Sequence, residues 1–294
     1  MSGTALIAPP RIGLVLGSGG ARGLAHIVAF EAFDRLGLRP VEIAGASMGA
    51  MMGAAYSAGF SGADLRAHVL RDFRNRTDVM ARLFQARVGR ISDLWREGVA
   101  NPVLLDALIV LEKFLPGPLP ANFEDLPIPV TMIAADLHRM ERVVMREGPL
   151  LPAIAASIAI PGLIRPVVHQ NRVMIDGGAV DPLPVRAIQG PVDLIIAIDI
   201  SRTAPREEGL KVPGMIEVVL RAFDLLQSSL VENQRHVPPA PLHHVKVRVD
   251  RFGALDFFSA RQILAAAAPI GAEIEAMVNV VMHARSLSSP GKKP

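Results

Sequence analysis

Three short segments of this chain carry residue types that can perform acyl-transfer chemistry together. Ser47 stands in Gly45-Ala46-Ser47-Met48-Gly49. That is the G-x-S-x-G spacing of a nucleophile elbow, where a sharp strand-to-helix turn presents a strained serine hydroxyl and the flanking glycines remove side chains that would clash. In a chain rich in Gly, Ala and Ser, the same five residues also fit an ordinary helix start with Ser47 as N-cap. Asp176-Gly177-Gly178 puts a carboxylate directly after the stretch Arg172 to Ile175. A carboxylate at a strand end can reach a serine across a crevice; taken alone, the segment reads as an Asx turn. The loop Gly17 to Gly23 supplies adjacent backbone N–H groups with little side-chain cover, beside a helix N-terminus whose dipole favours negative charge. It is a candidate oxyanion hole.

Competing chemistries fail on residue type or spacing. The chain has no cysteine, which removes disulfides, thiolate metal sites and a cysteine nucleophile, and fits a reducing compartment. A dinucleotide loop begun at Gly17 needs glycine where Arg22 stands, and no G-K-[ST] occurs, so neither phosphate loop is present. No His and carboxylate pair has the H-E-x-x-H spacing of a metal site, so no metal and no cofactor are expected. A Ser-His-Asp triad remains as an alternative, with His236, His243, His244 or His283 reaching Ser47. Lys plus Arg exceed Asp plus Glu by 31 − 28 = 3, too small an excess to hold a polyanion, so no nucleic-acid role is expected.

These segments need a scaffold that brings their loops to one edge. Ile12 to Leu16 is a short apolar run before the Gly-rich loop, followed by helical spacing that Gly37 ends. Val41 to Ala44, the Ser47 loop and a small-residue helix closed by Gly59 repeat the pattern. Strands joined through a helix are parallel, so both loops leave the same carboxyl edge of one sheet, where α/β folds bind ligands. Strand patterns return at Val130 to Ala135, Arg142 to Met145, Arg172 to Ile175, Leu194 to Ile200 and His243 to Val249. Helices are expected over Met215 to Glu232 and Ser259 to His283. Residues 61–126 are mostly helical in pattern and read as an insertion or cap on one domain spanning the chain, with its core at about 12–201.

In order, the segments Gly19-Gly20-Ala21-Arg22-Gly23, Gly45 to Gly49 and Asp176-Gly177-Gly178 resemble the motifs of the patatin-like phospholipase family, G-G-x-[RK]-G, G-x-S-x-G and D-G-[AG]. The resemblance extends through Ala134 to Leu137, Ser157 to Pro161 and Leu194 to Ile200. Two positions depart from the family's habit: Ala156 where Arg is frequent, and Asp181 where Asn is.

The resemblance implies a three-layer α/β/α fold around a mostly parallel sheet. It also implies a serine acyl hydrolase of lipid esters, such as phospholipids or lysophospholipids, in which Asp176 activates Ser47 without histidine. The Gly19, Gly20, Ala21 and Arg22 amides would hold the oxyanion, with Gly23, Gly177 and Gly178 in support. An acyl-thioesterase or a non-catalytic lipid sensor would use the same framework. Arg22 reads either as a lipid-phosphate contact or as a side chain fixing its own loop. Eight Arg between Arg66 and Arg96, beside the aliphatic run Val103 to Leu115, fit peripheral contact with anionic lipid or, equally, a solvated face beside a core helix. Met1 to Pro10 lacks a signal-peptide pattern and no apolar run reaches the ~20 residues of a membrane span, so a cytoplasmic location is expected.

Overall fold

The computed structural model describes residues 8–87, 105–203, 212–234 and 238–288. Its centre is a parallel sheet of β1 (Ile12–Leu16), β2 (Glu42–Ala46), β3 (Val130–Asp136), β7 (Leu194–Asp199) and β8 (Leu242–Lys246), in the order β3-β2-β1-β7-β8. Beyond β3 the sheet turns antiparallel through β4 (Glu141–Met145), β5 (Val167–His169) and β6 (Arg172–Asp176). The central strands are buried along their whole length, because apolar side chains pack on both faces. Leu14, Leu16, Ile196 and Ile198 enter the larger core, while Val15, Ile195 and Ala197 enter the smaller one on the opposite face.

The two faces are covered differently. On the larger side lie α1 (His26–Leu36), α2 (Met48–Ser57), α6 (Leu150–Ser157), α8 (Ala260–Ala267) and α9 (Pro269–Ser288). The smaller core is closed by Leu183, Val185, Ala187 and Ile188 together with Val231 of α7 (Met215–Gln234). One helix expected over Ser259 to His283 is two, α8 and α9, since Pro269 cannot supply the N–H that would continue the ladder, although Ala268 before it keeps a helical conformation. The region 61–126 contributes α3 (Gly62–Asp72), α4 (Arg76–Gln85) and α5 (Ala107–Phe114), capped by Ser61, Asn75 and Asp106. Residues 88–104 of that region, including Val103 and Leu104, lie outside the described residues.

The edges of β3 decide what meets what. One edge pairs with β4 from Met132 to Asp136. The other pairs first with β2, where Ile133 faces Ala46, and from the next residue with β6, where Ala134 faces Asp176. Strands β2 and β6 therefore end against each other, and the residue after Ala46 is Ser47.

The Gly-rich loop is tied to α7 by Arg22, whose side chain is fully buried. Its guanidinium forms a two-pronged pair with Asp224, Nη2 to Oδ1 at 2.5 Å and Nη1 to Oδ2 at 3.2 Å, and also donates to the carbonyls of Ile200 and Phe252. Of the two readings of Arg22, the structure supports the loop-fixing one; a side chain without solvent access does not meet a lipid phosphate. Removing the carboxylate would strand a buried cation, so Asp224→Ala is expected to lose about 3–5 kcal/mol of stability. Urea denaturation of the variant against wild type measures this directly.

Candidate active site

Ser47 occupies the turn between β2 and α2 with φ 54° and ψ −124°, a conformation that non-glycine residues rarely hold without compensation. The compensation is local. The Ser47 N–H donates to Ser157 Oγ at 2.9 Å, and Ser157 Oγ donates in turn to Ile133 O at 2.7 Å. A Cβ on Gly49 would lie 2.1 Å from Leu16 O, and one on Gly45 would lie 2.5 Å from Gly49 C. The elbow closes this tightly only with glycine at both positions. These contacts decide between the two readings of the motif: Ser47 makes no side-chain cap bond, and its hydroxyl points elsewhere.

That hydroxyl donates to Asp176 Oδ2 at 2.5 Å. The carboxylate is fully buried, and its other oxygen accepts from Gly178 N at 2.7 Å. Gly177 and Gly178 leave room for this arrangement: a Cβ on Gly177 would press on Ile133 O, and one on Gly178 would press on Ser18 Oγ. Burial pushes the Asp176 carboxyl up to about 7, against the opposing pull of its hydrogen bonds from Ser47 and Gly178. A carboxyl group that titrates there changes its charge near neutral pH.

The Gly-rich loop lies on the other side of Ser47 and starts a 3-10 turn over Gly20–Ala25 that runs into α1. Gly20 has φ +56°, and a Cβ there would sit 2.3 Å from Ala254 O. Of the four expected oxyanion donors, two are already engaged. The Ala21 N–H donates to Ala254 O at 2.7 Å and the Arg22 N–H to Gly19 O at 3.2 Å. That is a correction to the expectation: among the described residues, Gly19 and Gly20 are the amides of this set with no acceptor in the protein, and both line the space next to Ser47. Gly23 serves packing instead, since a Cβ there would overlap Met48.

Ser47 opens into a cavity of about 320 Å³ with an almost wholly apolar wall. Met51 and Met52 of α2, Val69 of α3, Leu83 of α4, Val110 of α5 and Leu163 contribute to it, so much of the wall comes from the region read as a cap. The basic run is largely occupied by contacts within the protein. Arg66 pairs with Glu31, Arg82 with Asp72, Arg76 stacks on Phe258 and Arg87 on Phe84, whereas Arg90 and Arg96 lie outside the described residues.

Two histidines of the alternative triad are engaged elsewhere. His243 pairs with Glu273 at 3.0 Å and His244 with Asp199 at 3.0 Å. His236 lies outside the described residues, and the hydroxyl of Ser47 bonds Asp176 with no imidazole between them. Asp181, one of the departures from the family pattern, is paired with Arg142 at 2.6 Å. Among the described residues, no cluster of three or more His, Asp or Glu is arranged to hold a metal, and no single helix is long and apolar enough to cross a membrane. Sequence reasoning missed the roles of Ser157 as the anchor of the elbow and Asp224 as the partner of Arg22. Neither sits in a motif that spacing could reveal.

The raised Asp176 carboxyl has a consequence for stability. Between its unfolded value near 4 and its folded value near 7, the folded protein holds a proton that the unfolded chain has released. Stability from this group is therefore greatest at low pH and is lost as pH rises through that window. Asp176→Asn, which cannot ionise, should gain on wild type by about 2–3 kcal/mol between pH 5 and pH 8. Paired urea melts at the two pH values test this; an unchanged gap would mean that Asp176 ionises freely in the folded protein.

Comparison with known proteins gives the family and the fold. A family model described as patatin-like phospholipase matches residues 14–188. An uncharacterised NTE family protein of Mycobacterium tuberculosis is 41% identical over 193 residues, covering 65% of this chain and 49% of that protein. Lysophospholipase NTE1 of Cryptococcus neoformans is 28% identical over 214 residues, covering 69% of this chain and 12% of that protein. The chain spans about half the length, or less, of these relatives. Among solved structures, human GIVD cytosolic phospholipase A2 shares the fold with a TM-score of 0.51 at 13% identity, covering 94% of this chain and 60% of that one. With the family model matched through the Gly-rich loop, the serine elbow and the Asp176 turn, the chain belongs to the patatin-like phospholipase family.

Proposed function

We propose that this chain hydrolyses lipid esters with Ser47 as nucleophile and Asp176 as its base. The observation that carries the reading is the 2.5 Å hydrogen bond between the two, out of solvent, at the mouth of a 320 Å³ apolar cavity. In acylation, Ser47 Oγ attacks the ester carbonyl while Asp176 accepts its proton. The Gly19 and Gly20 N–H groups face the oxygen that becomes negative, and Asp176 returns the proton to the leaving alcohol. A carboxylate at its ordinary pKa is a feeble base toward a serine hydroxyl; burial to about 7 narrows that gap.

The apolar cavity supports an acyl chain as the group it accepts, since its wall is almost wholly apolar. Membership in a family named for phospholipases, and a fungal relative named as a lysophospholipase, support glycerophospholipid esters as the substrate class.

With a short-chain p-nitrophenyl ester, Ser47→Ala and Asp176→Asn should each lose at least about a thousandfold in kcat/KM. His243→Ala, His244→Ala and His283→Ala should stay within about threefold of wild type. A histidine variant as inactive as Ser47→Ala would restore the triad. Because the ionised form of Asp176 is the base, kcat/KM should climb about tenfold per pH unit below pH 7 and level off above it. Val110→Trp, which fills part of the cavity wall, should lower the ratio of long-chain to butyryl ester hydrolysis by about tenfold or more. An unchanged ratio would move the acyl site elsewhere.

A further inference from the structure

Helix α7 is built inside out. Its buried side chains include Asp224, which pairs with Arg22, and Gln227, whose Nε2 donates to Ser18 Oγ at 3.1 Å. Its outward stripe, Met215, Val218, Val219, Ala222, Leu225 and Leu226, recurs at helical spacing and is exposed over about three turns. Met215 is 73% exposed, Leu225 68% and Leu226 58%. Glu217 and Arg221 pair with each other on one flank, so no charge interrupts the stripe. Single exposed apolar residues are ordinary on a protein surface, but a continuous row of them marks a contact face.

The stripe borders the opening of the active site. A Cβ on Gly162 would touch Val219 at 3.3 Å, and Ile160 and Leu163 of the same loop line the apolar cavity. Leu220 and Phe223, further round the helix, line a small polar chamber beside Ser47 together with Gln227 and Ala254. Leu255, the next residue, and Met80 of α4 line the apolar cavity yet are 39% and 58% exposed, so the cavity reaches the surface at these residues.

Arginines flank the same opening. Phe73 stacks on Phe257 at 5.1 Å and Arg76 on Phe258 at 4.8 Å, which holds the end of α3 and the start of α4 to the loop that carries Leu255. Arg74, Arg76 and Arg261 are exposed there, as is Arg251 at the start of the loop, and none of the four has an ion pair among the described residues. Of the neighbouring carboxylates, Asp72 pairs with Arg82, while Asp250 and Asp256 accept from the N–H groups of Thr203 and Gly253. Asp78 is the one of these four that is exposed.

We propose that this face, the α7 stripe with the arginines around Leu255, docks on an anionic lipid surface, so that substrate passes from the lipid into the apolar cavity without crossing water. The proposal rests on the reading of the site as a lipid-ester hydrolase. Unpaired guanidiniums, a continuous apolar row and the open end of an apolar cavity call for one occupant that carries anionic headgroups and acyl chains together.

The test uses Ser47→Ala, so that lipid is not consumed, and cosedimentation with phosphatidylcholine vesicles with or without added phosphatidylglycerol. Binding to the anionic vesicles should weaken at least about tenfold when phosphatidylglycerol is omitted or the salt is raised. The double substitutions Met215→Gln with Leu226→Gln, and Arg74→Gln with Arg261→Gln, should each weaken it by about tenfold. With Ser47 intact, the same pairs should lose a similar factor in hydrolysis of vesicle phospholipid and keep p-nitrophenyl butyrate turnover within about twofold of wild type. Binding that ignores lipid charge, or that survives both double substitutions, overturns the proposal and leaves the dyad standing. A dimer in sedimentation velocity that Met215→Gln with Leu226→Gln abolishes assigns the row to a second copy of the chain and overturns the proposal as well. A wild type inactive on the butyrate overturns the ester-hydrolase reading, and the proposal with it.

Discussion

The carboxylate of Asp176 has lost all its water and keeps two hydrogen bonds, one from the Ser47 hydroxyl and one from the Gly178 amide. Holding an ionisable group in that state opposes folding, and the surrounding structure makes it possible by leaving no alternative. Strand β6 ends against β2 because both share one edge of β3, so Asp176 and Ser47 arrive together through main-chain register rather than through side-chain reach. Ser157 fixes the Ser47 amide from a third element, which steadies a backbone conformation the serine would not adopt by itself.

The Gly-rich loop is held by a different device. Gly19 and Gly20 are presented because their neighbours are committed: Ala21 and Arg22 use their amides within the protein, and the Arg22 side chain is locked to Asp224 on α7. A buried, two-pronged arginine pair is a weak source of net stability, but it constrains geometry strongly, because a guanidinium without its carboxylate has nowhere to go. The same helix brings Gln227 to Ser18 in that loop. Helix α7 therefore joins the loop's foundation to the polar chamber, while the region 61–126 builds the apolar one.

Much of this was readable in the residues before any coordinates. The strand and helix pattern, the two loops on one sheet edge and the elbow around Ser47 follow from periodicity and glycine placement, because local backbone geometry depends on local residue types. The parallel β1 and β2 and the buried β7 lie where their apolar runs put them. Where local reading failed, distant partners decided. One miss was local, since Pro269 divides the helix expected over Ser259 to His283. Arg22 reads equally as a lipid-phosphate contact or as a side chain fixing its loop until Asp224, some two hundred positions away, decides for the second.

The sequence by itself determined which residues can do the chemistry: a serine that only glycines allow to turn so sharply, a carboxylate closing a strand, a loop of bare amides, and no cysteine to compete. Only the tertiary structure decided which of those groups meet and which are spent. It chose aspartate over histidine as the partner of Ser47, left two amides open where four had seemed available, and brought Gln227 and Ser157 into the site. The physical reason is that burial, register and hydrogen-bond satisfaction are properties of non-local neighbours. Spacing along the chain constrains the turn a residue makes, but not the water it loses.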